Sequence, residues 1–308
     1  MPPAASTRAA HRRGLLLAGL GAIAFSGKAI IVKLAYRYGV DAVTLIMYRM
    51  LFALPLFLLL AWWAGLRKPA LTWRDARTIV GLGFCGYYLS SFLDFAGLRY
   101  ISASLERLIL YLNPTLVLVL GALLFRKKVT RAQIIALAVS YCGVLCVFGR
   151  EMSLQGADVP LGATLVFCSA VSYAVYLTYS GEEVRRLGAL RLTGLATSVA
   201  CIICIAQFLV LRPLAAMAVP IEVLWLSVLN ATLCTFAPVV MVMMAIERIG
   251  ATLTAQTGAI GPLSTILMAV ALLGEPFTAW VALGTVLVLA GIWLLARPQP
   301  ASALERST

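Results

Sequence analysis

Apolar residues recur along this chain in runs of about 20, separated by short polar breaks, from Gly14 almost to the C-terminus. A helix of that length crosses a hydrocarbon core of about 30 Å. Inside lipid, a helix also gives every backbone N–H and C=O a partner within its own segment. The breaks predict helices at about 14–35, 42–64, 77–98, 103–125, 130–148, 160–179, 191–211, 221–245, 251–273 and 279–296. The expected fold is therefore an all-α polytopic membrane protein of ten transmembrane helices, with no space between them for a soluble domain. The first run continues to Ala35 without a small-residue cleavage site, so it is expected to remain as a helix rather than leave as a signal peptide.

Composition agrees: 62% of residues are apolar and 12% charged, against about 25% charged in an ordinary soluble domain. A net charge of +13 would suggest nucleic acid for a soluble protein, but here the position of the basic residues carries the information. Seventeen lie in the tails and alternate loops: Arg8, Arg12, Arg13, Arg67, Lys68, Arg74, Arg77, Arg126, Lys127, Lys128, Arg131, Arg185, Arg186, Arg191, Arg248, Arg297 and Arg306. The opposite side holds only Arg37, Arg99, Arg150 and Arg212. The positive-inside tendency then places both termini in the cytoplasm. Seven cysteines fall inside apolar runs and the only histidine, His11, lies in the N-terminal tail. No metal and no cofactor are expected, and a membrane enzyme would lack a nucleophile paired with a base.

The chain also repeats itself. Shifted by 148 positions, the segment from Leu98 lies without gaps over the segment from Ile246, pairing Pro114 with Pro262, Thr130 with Thr278 and Gly143 with Gly291. Each half, 14–148 and 160–296, holds an odd number of helices, so the second must enter the membrane inverted. Its loop LGEPFTA at 273–279 has no basic residue, whereas the aligned FRKKVTR at 125–131 is strongly basic. Inverted-topology repeats point to alternating access around a site near the midplane.

Four stretches carry a resemblance to a known family: FSGKAIIVK in the first helix, LIMYRMLFALP in the second, LDFAGLRYISASLERLILYLNPTLVLVLGALLF across the third and fourth, and the duplicated Pro followed by a loop and a Gly-containing helix. They resemble the drug/metabolite transporter superfamily, and within it the EamA-type bacterial permeases. The resemblance covers about residues 14–296 and implies a multi-pass protein of the bacterial inner (plasma) membrane that moves small organic metabolites, with export the expected direction. The second half departs from the first in having Thr254 and Ala255 opposite Glu106 and Arg107.

Candidate site residues follow from charge inside the spans. Counting about 1.5 Å per residue places Lys28, Arg49, Asp94, Glu106 and Arg107 in one layer of the outer third of the membrane. Ionised groups at that depth should face one another or water, since each costs at least ~2.5 kcal/mol near the bilayer centre. Two readings are open: an outer gate with an anion-attracting cavity wall, and a permanent structural ion network. Arg49 is the foremost functional candidate, because a guanidinium can hold a carboxylate through two bonds. Lys33, nearer the outer end, reads as a snorkelling lysine. Pro114 and Pro262 break helices and free the carbonyls of Leu110 and Gly258, either for substrate and water or as packing kinks. Tyr111, Asn113, Tyr173, Tyr176 and Gln256 are polar or aromatic positions suited to lining a cavity.

The expected function is a secondary transporter of small metabolites such as amino acids; a non-transporting scaffold or a channel is the alternative. The expected partners are a small-molecule substrate and the lipid bilayer, with no nucleic acid, for a monomer or homodimer.

Overall fold

A computed structural model describes residues 4–66, 68–126, 129–155, 157–258 and 260–296. Among these residues the regular structure is entirely helical. The helices are α1 (Ala4–Tyr36), α2 (Ala42–Gly65), α3 (Trp73–Gly97), α4 (Ala103–Phe125), α5 (Arg131–Gln155), α6 (Val159–Leu187), α7 (Ala189–Leu211), α8 (Ile221–Ile246), α9 (Ile260–Leu273) and α10 (Ala279–Leu295). Eight of them are long and apolar enough to cross a membrane, while α9 and α10 are shorter apolar helices. The sequence pattern lies over each of them, but of the ninth expected span, 251–273, α9 covers only Ile260–Leu273, and the pattern missed overhangs: α1 begins at Ala4, α5 runs on to Gln155 and α6 to Leu187. Those extensions are polar, so hydropathy is blind to them although helix propensity is not. Of the basic loop residues, Arg67, Lys127, Lys128, Arg297 and Arg306 lie outside the described residues.

The polar breaks that end the apolar runs also cap the helices. Asp41 Oδ1 accepts the N–H groups of Val43 and Thr44 at the start of α2, Thr72 and Asp75 form a reciprocal capping box on α3, and Ser102 Oγ accepts from Leu105 N–H on α4. Two spans are interrupted near the prolines. In α4 the helix breaks at Tyr111 and Leu112 and restarts at Asn113, which puts Pro114 in a first turn, where its missing N–H costs nothing. In the second half Gly250 is non-helical (φ 79°, ψ 160°), helix resumes over 251–258, and Pro262 sits in the first turn of α9.

Side-chain burial is that of a membrane bundle. All six tryptophans, Trp62, Trp63, Trp73, Trp225, Trp280 and Trp293, are exposed and cluster toward helix ends, as aromatic belts do. The two larger apolar clusters of the interior are centred on α1, α2, α3 and α7 and on α4, α5, α6 and α10. The main pairings are α1 with α8, α2 with α7, α3 with α6, and α5 with α10.

The connections sort to two ends. At one end Arg37 donates to Leu273 O, Arg212 pairs with Asp41, Tyr48 donates to Met217 O, and Glu151 and Glu275 accept from Ser102, Ala103 and Ser104. At the other, Arg186 pairs with Asp75 and Arg191 donates to Pro69 O. The second end carries the strongly basic loops.

Candidate functional site

Five ionisable side chains lie in one layer inside the bundle, each less than a tenth exposed. Lys28 Nζ on α1 lies 2.5 Å from Asp94 Oδ2 on α3 and 3.5 Å from Glu106 Oε1 on α4. Arg107 Nε stands 4.0 Å from Glu106 Oε2, and its Nη2 donates to the carbonyls of Phe25 and Ser26, 3.4 Å away. One lysine therefore bridges two carboxylates, and one arginine backs the second of them. Both Lys28 and Arg107 also lie against the Phe25 ring, 5.6 and 5.7 Å from its centroid.

Arg49 does not join that network. Its Nη2 donates to Ser91 Oγ at 2.9 Å and its guanidinium sits 4.7 Å over the Phe95 ring, but it forms no ion pair among the described residues, and its buried Nε has no hydrogen-bond partner. The three cations and two carboxylates of the layer leave one surplus positive charge, and Arg49 is where it resides.

A cavity of about 390 Å³ opens beside this layer, on the side toward the basic loops. Lys28, Arg49, Asp94, Arg107, Tyr111, Asn113 and Tyr173 line it, as do Phe25, Tyr87, Ser91, Thr197 and Val242. Two of the sequence-derived positions fall elsewhere. Glu106 is fully buried behind Lys28, and Tyr176 is turned away from the cavity, its hydroxyl 3.1 Å from that of Tyr87 and its ring stacked on Tyr173. The physical reason in both cases is a neighbour that claims the group first. Gln256 falls in the helical stretch 251–258, but its side chain lies outside the described residues. Lys33 is set apart, in a second pocket beyond the ion layer.

The proline-freed carbonyls are also claimed from within. Asn113 Nδ2 donates to Leu110 O at 2.7 Å and Tyr111 Oη donates to Gly258 O at 2.8 Å. Ser26 Oγ takes the neighbouring Gly261 carbonyl. These groups tie the broken helices to α1 and to each other, and Leu110, Tyr111, Asn113 and Gly258 also line the cavity, so both alternatives of the sequence reading, kink and cavity wall, meet here. Sequence reasoning missed Ser91 and Thr197, since a hydroxyl inside a span is cheap and leaves little signal.

A π-helical turn at Phe84–Leu89 brings Tyr87 into the cavity wall, and a second π turn at Thr232–Phe236 does the same for Thr235. Single π turns within α-helices commonly mark functional sites.

Comparison with known proteins decides the family. The profile described as the EamA-like transporter family matches residues 12–149 and again residues 160–297. The chain belongs to the EamA-like transporter family. Among its relatives, the uncharacterized transporter YcbK of Bacillus subtilis (strain 168) is 31% identical over 271 residues, 85% of this chain and 86% of YcbK. The uncharacterized transporter YyaM of the same organism is 24% identical over 264 residues, 84% of this chain and 81% of its own length. A protein of known crystal structure superposes with a TM-score of 0.62 at 17% identity, over 95% of this chain and 97% of its own, which shows a shared fold. This EamA-family protein is thus a multi-pass membrane transporter and not an enzyme.

Proposed function

We propose that the protein is a secondary transporter, working as an exporter, of small carboxylate-bearing metabolites such as amino acids, by alternating access around the central cavity in a bacterial inner membrane. The observation that carries this reading is Arg49: a buried guanidinium with no carboxylate partner, lining a cavity large enough for a small solute. An unpaired buried charge costs several kcal/mol. A substrate carboxylate supplies the missing partner through two parallel N–H···O bonds.

Two five-helix repeats, 14–148 and 160–296, inverted relative to each other, supply the moving halves. Two pairs of features 148 residues apart support this duplication: the π turns beginning at Phe84 and Thr232, and the left-handed residues Arg126 (φ 52°) and Gly274 (φ 73°) that end α4 and α9. The packing is self-consistent under the same shift. It leaves the pairs α2 with α7 and α5 with α10 unchanged and exchanges α1 with α8 for α6 with α3. At the α5 and α10 contact, a Cβ on Gly143 would lie 2.7 Å from the Gly284 carbonyl oxygen, and one on Gly291 2.7 Å from that of Ala136. The basic loops gathered at one end support cytoplasmic termini. The Lys28–Asp94–Glu106–Arg107 layer then acts as the outer gate, shut in this conformation, with the cavity below it toward the cytoplasm.

Purified protein in liposomes tests the reading. A screen of amino acids should find a solute with saturable uptake. Arg49→Ala should reduce its kcat/KM at least about ten-fold, since a charge-assisted bond contributes ~1.5–3 kcal/mol. Folded Arg49→Ala protein that transports like wild type would sink the assignment.

A further inference from the structure

A second pocket, of about 510 Å³, lies at the other face of the ion layer, among the weakly basic connections. Its charged walls are Lys33 and Arg37 from the end of α1, Arg99 after α3, Asp41 before α2, and Glu275 between α9 and α10. Three cations face two carboxylates here, and since the Arg212 guanidinium offsets the charge of Asp41 while Glu275 keeps its own, the walls carry a surplus of positive charge. Asp41 accepts from the N–H groups of Val43 and Thr44, from the Thr44 hydroxyl and from Arg212 Nε. Glu275 accepts from Ala103 N–H at 2.7 Å, Ser104 N–H at 3.2 Å and Ser104 Oγ at 2.8 Å, at the N-terminus of α4. Arg37 spends one donor on Leu273 O.

Lys33 and Arg99 form neither an ion pair nor a side-chain hydrogen bond among the described residues. Glu275 and Glu151 are close enough to feel the charge of Lys33 but stand beyond ion-pair distance. Two uncommitted cations therefore share one concave, partly enclosed pocket.

We infer that this pocket is a second anion site, which takes a small carboxylate. Lys33 follows Lys28 by five residues, a rise of about 7.5 Å along α1, and Leu98 in the pocket wall follows Asp94 by one turn of α3. A carboxylate that leaves Arg49 past the opened Lys28–Asp94 pair meets Lys33 and Arg99 next. The site thus serves as an antechamber on the outward side of the gate. In this role it rests on the proposed carboxylate path, whereas its binding chemistry stands without it.

Calorimetric titration of succinate into purified wild-type protein, in neutral detergent at low chloride, tests the site without transport. Saturable binding is expected. Arg99→Gln, at an exposed position that folding tolerates, should weaken it several-fold, and Lys33→Gln with Arg99→Gln at least ten-fold. Arg49→Lys, which alters the central cavity, should leave the Arg99-dependent part of the binding unchanged. Absence of saturable binding to wild type, or binding undiminished in Arg99→Gln, overturns the inference. So does loss of the Arg99-dependent binding in Arg49→Lys, which would place that succinate in the central cavity. A lipid headgroup as the occupant is recognised in nanodiscs: succinate binding retained in phosphatidylcholine but abolished in phosphatidylglycerol assigns the pocket to lipid and refutes the carboxylate. Wild-type transport by Arg49→Ala alongside Arg99-dependent succinate binding would remove the central-cavity reading alone.

Discussion

Lys28 is shared between two buried carboxylates, and this sharing makes its removal costlier than the removal of either partner. In Asp94→Asn the lysine loses the 2.5 Å contact but keeps Glu106 at 3.5 Å, so Lys28 itself retains an ion-pair partner. Breaking a buried pair costs about 3–5 kcal/mol, and the retained partner puts this variant at the lower end, about 3 kcal/mol. In Lys28→Met two carboxylates remain, at 2% and 0% side-chain exposure, with only Arg107 in range, 4.0 Å from Glu106. That variant belongs at the upper end, about 5 kcal/mol. The double variant Lys28→Met with Asp94→Asn removes one charge of each sign. It should be less destabilised than the two singles added together, with a coupling of at least about 1 kcal/mol for residues in direct contact. Unfolding in graded SDS, followed by tryptophan fluorescence with size exclusion to confirm the folded start, gives all three values. If Asp94→Asn proves as costly as Lys28→Met, or if the two effects add, the lysine is not the shared partner and the argument fails.

Three further outcomes follow from the geometry. Gly143→Ala and Gly291→Ala each push a Cβ to 2.7 Å from a backbone oxygen of the neighbouring helix, so both should cost ~1–3 kcal/mol, and a neutral effect at either would break the claimed equivalence of the two contacts. Burial alone would raise the pKa of Asp41, but the Thr44 hydroxyl and N–H and the Arg212 guanidinium together hold it below the ordinary value. A depressed folded pKa gives stability that is present above the unfolded value of about 3.9 and lost as pH falls through the folded one. The gap in thermal midpoint between wild type and Asp41→Asn should accordingly stay constant above about pH 5 and shrink below about pH 4; a gap that persists in acid contradicts the linkage. Glu275→Ala removes an acceptor from three donors that tie the α9–α10 connection to α4, so Ser91→Cys should react faster with a membrane-impermeant thiol reagent applied from outside, and unchanged labelling would show that Glu275 is no latch.

The helices were legible because hydropathy reports a period-free apolar length, and the eight long enough to cross a membrane each showed one. The ion layer was legible for the opposite reason: a charge inside a span is rare enough that Lys28, Arg49, Asp94, Glu106 and Arg107 stood out individually. What the sequence could not show was the allocation of partners. Depth along a helix says that three cations and two carboxylates share a layer, but only the azimuth of each helix puts Lys28 between Asp94 and Glu106 and leaves Arg49 beside Phe95 and Ser91. The same limit applies to the prolines. Their freed carbonyls can be read from the chain, whereas the donors that take them, Asn113 and Tyr111, are indistinguishable in sequence from residues facing a solute.

The charge asymmetry between the halves bears on how the two ends open. Opposite Glu106 and Arg107 the second half places Thr254 and Ala255, and the Thr254 hydroxyl donates to Gly250 O in its own chain segment, reaching across to no other helix. Under the proposed duplication, ion pairs between α1, α3 and α4 close one end, whereas at the other end the ion pair between helices among the described residues is that of the half-exposed Arg186 on α6 with Asp75 on α3. In the proposed mechanism, opening the outer end must separate Lys28 from Asp94 in a low-dielectric layer, where each ion loses its partner unless another arrives. A carboxylate bound to Arg49 is such a group, because it adds a negative charge beside Lys28 and Arg107. Occupied cavities should therefore open outward more readily than empty ones, which couples gate to cargo through charge balance alone and needs the surplus cation that Arg49 provides.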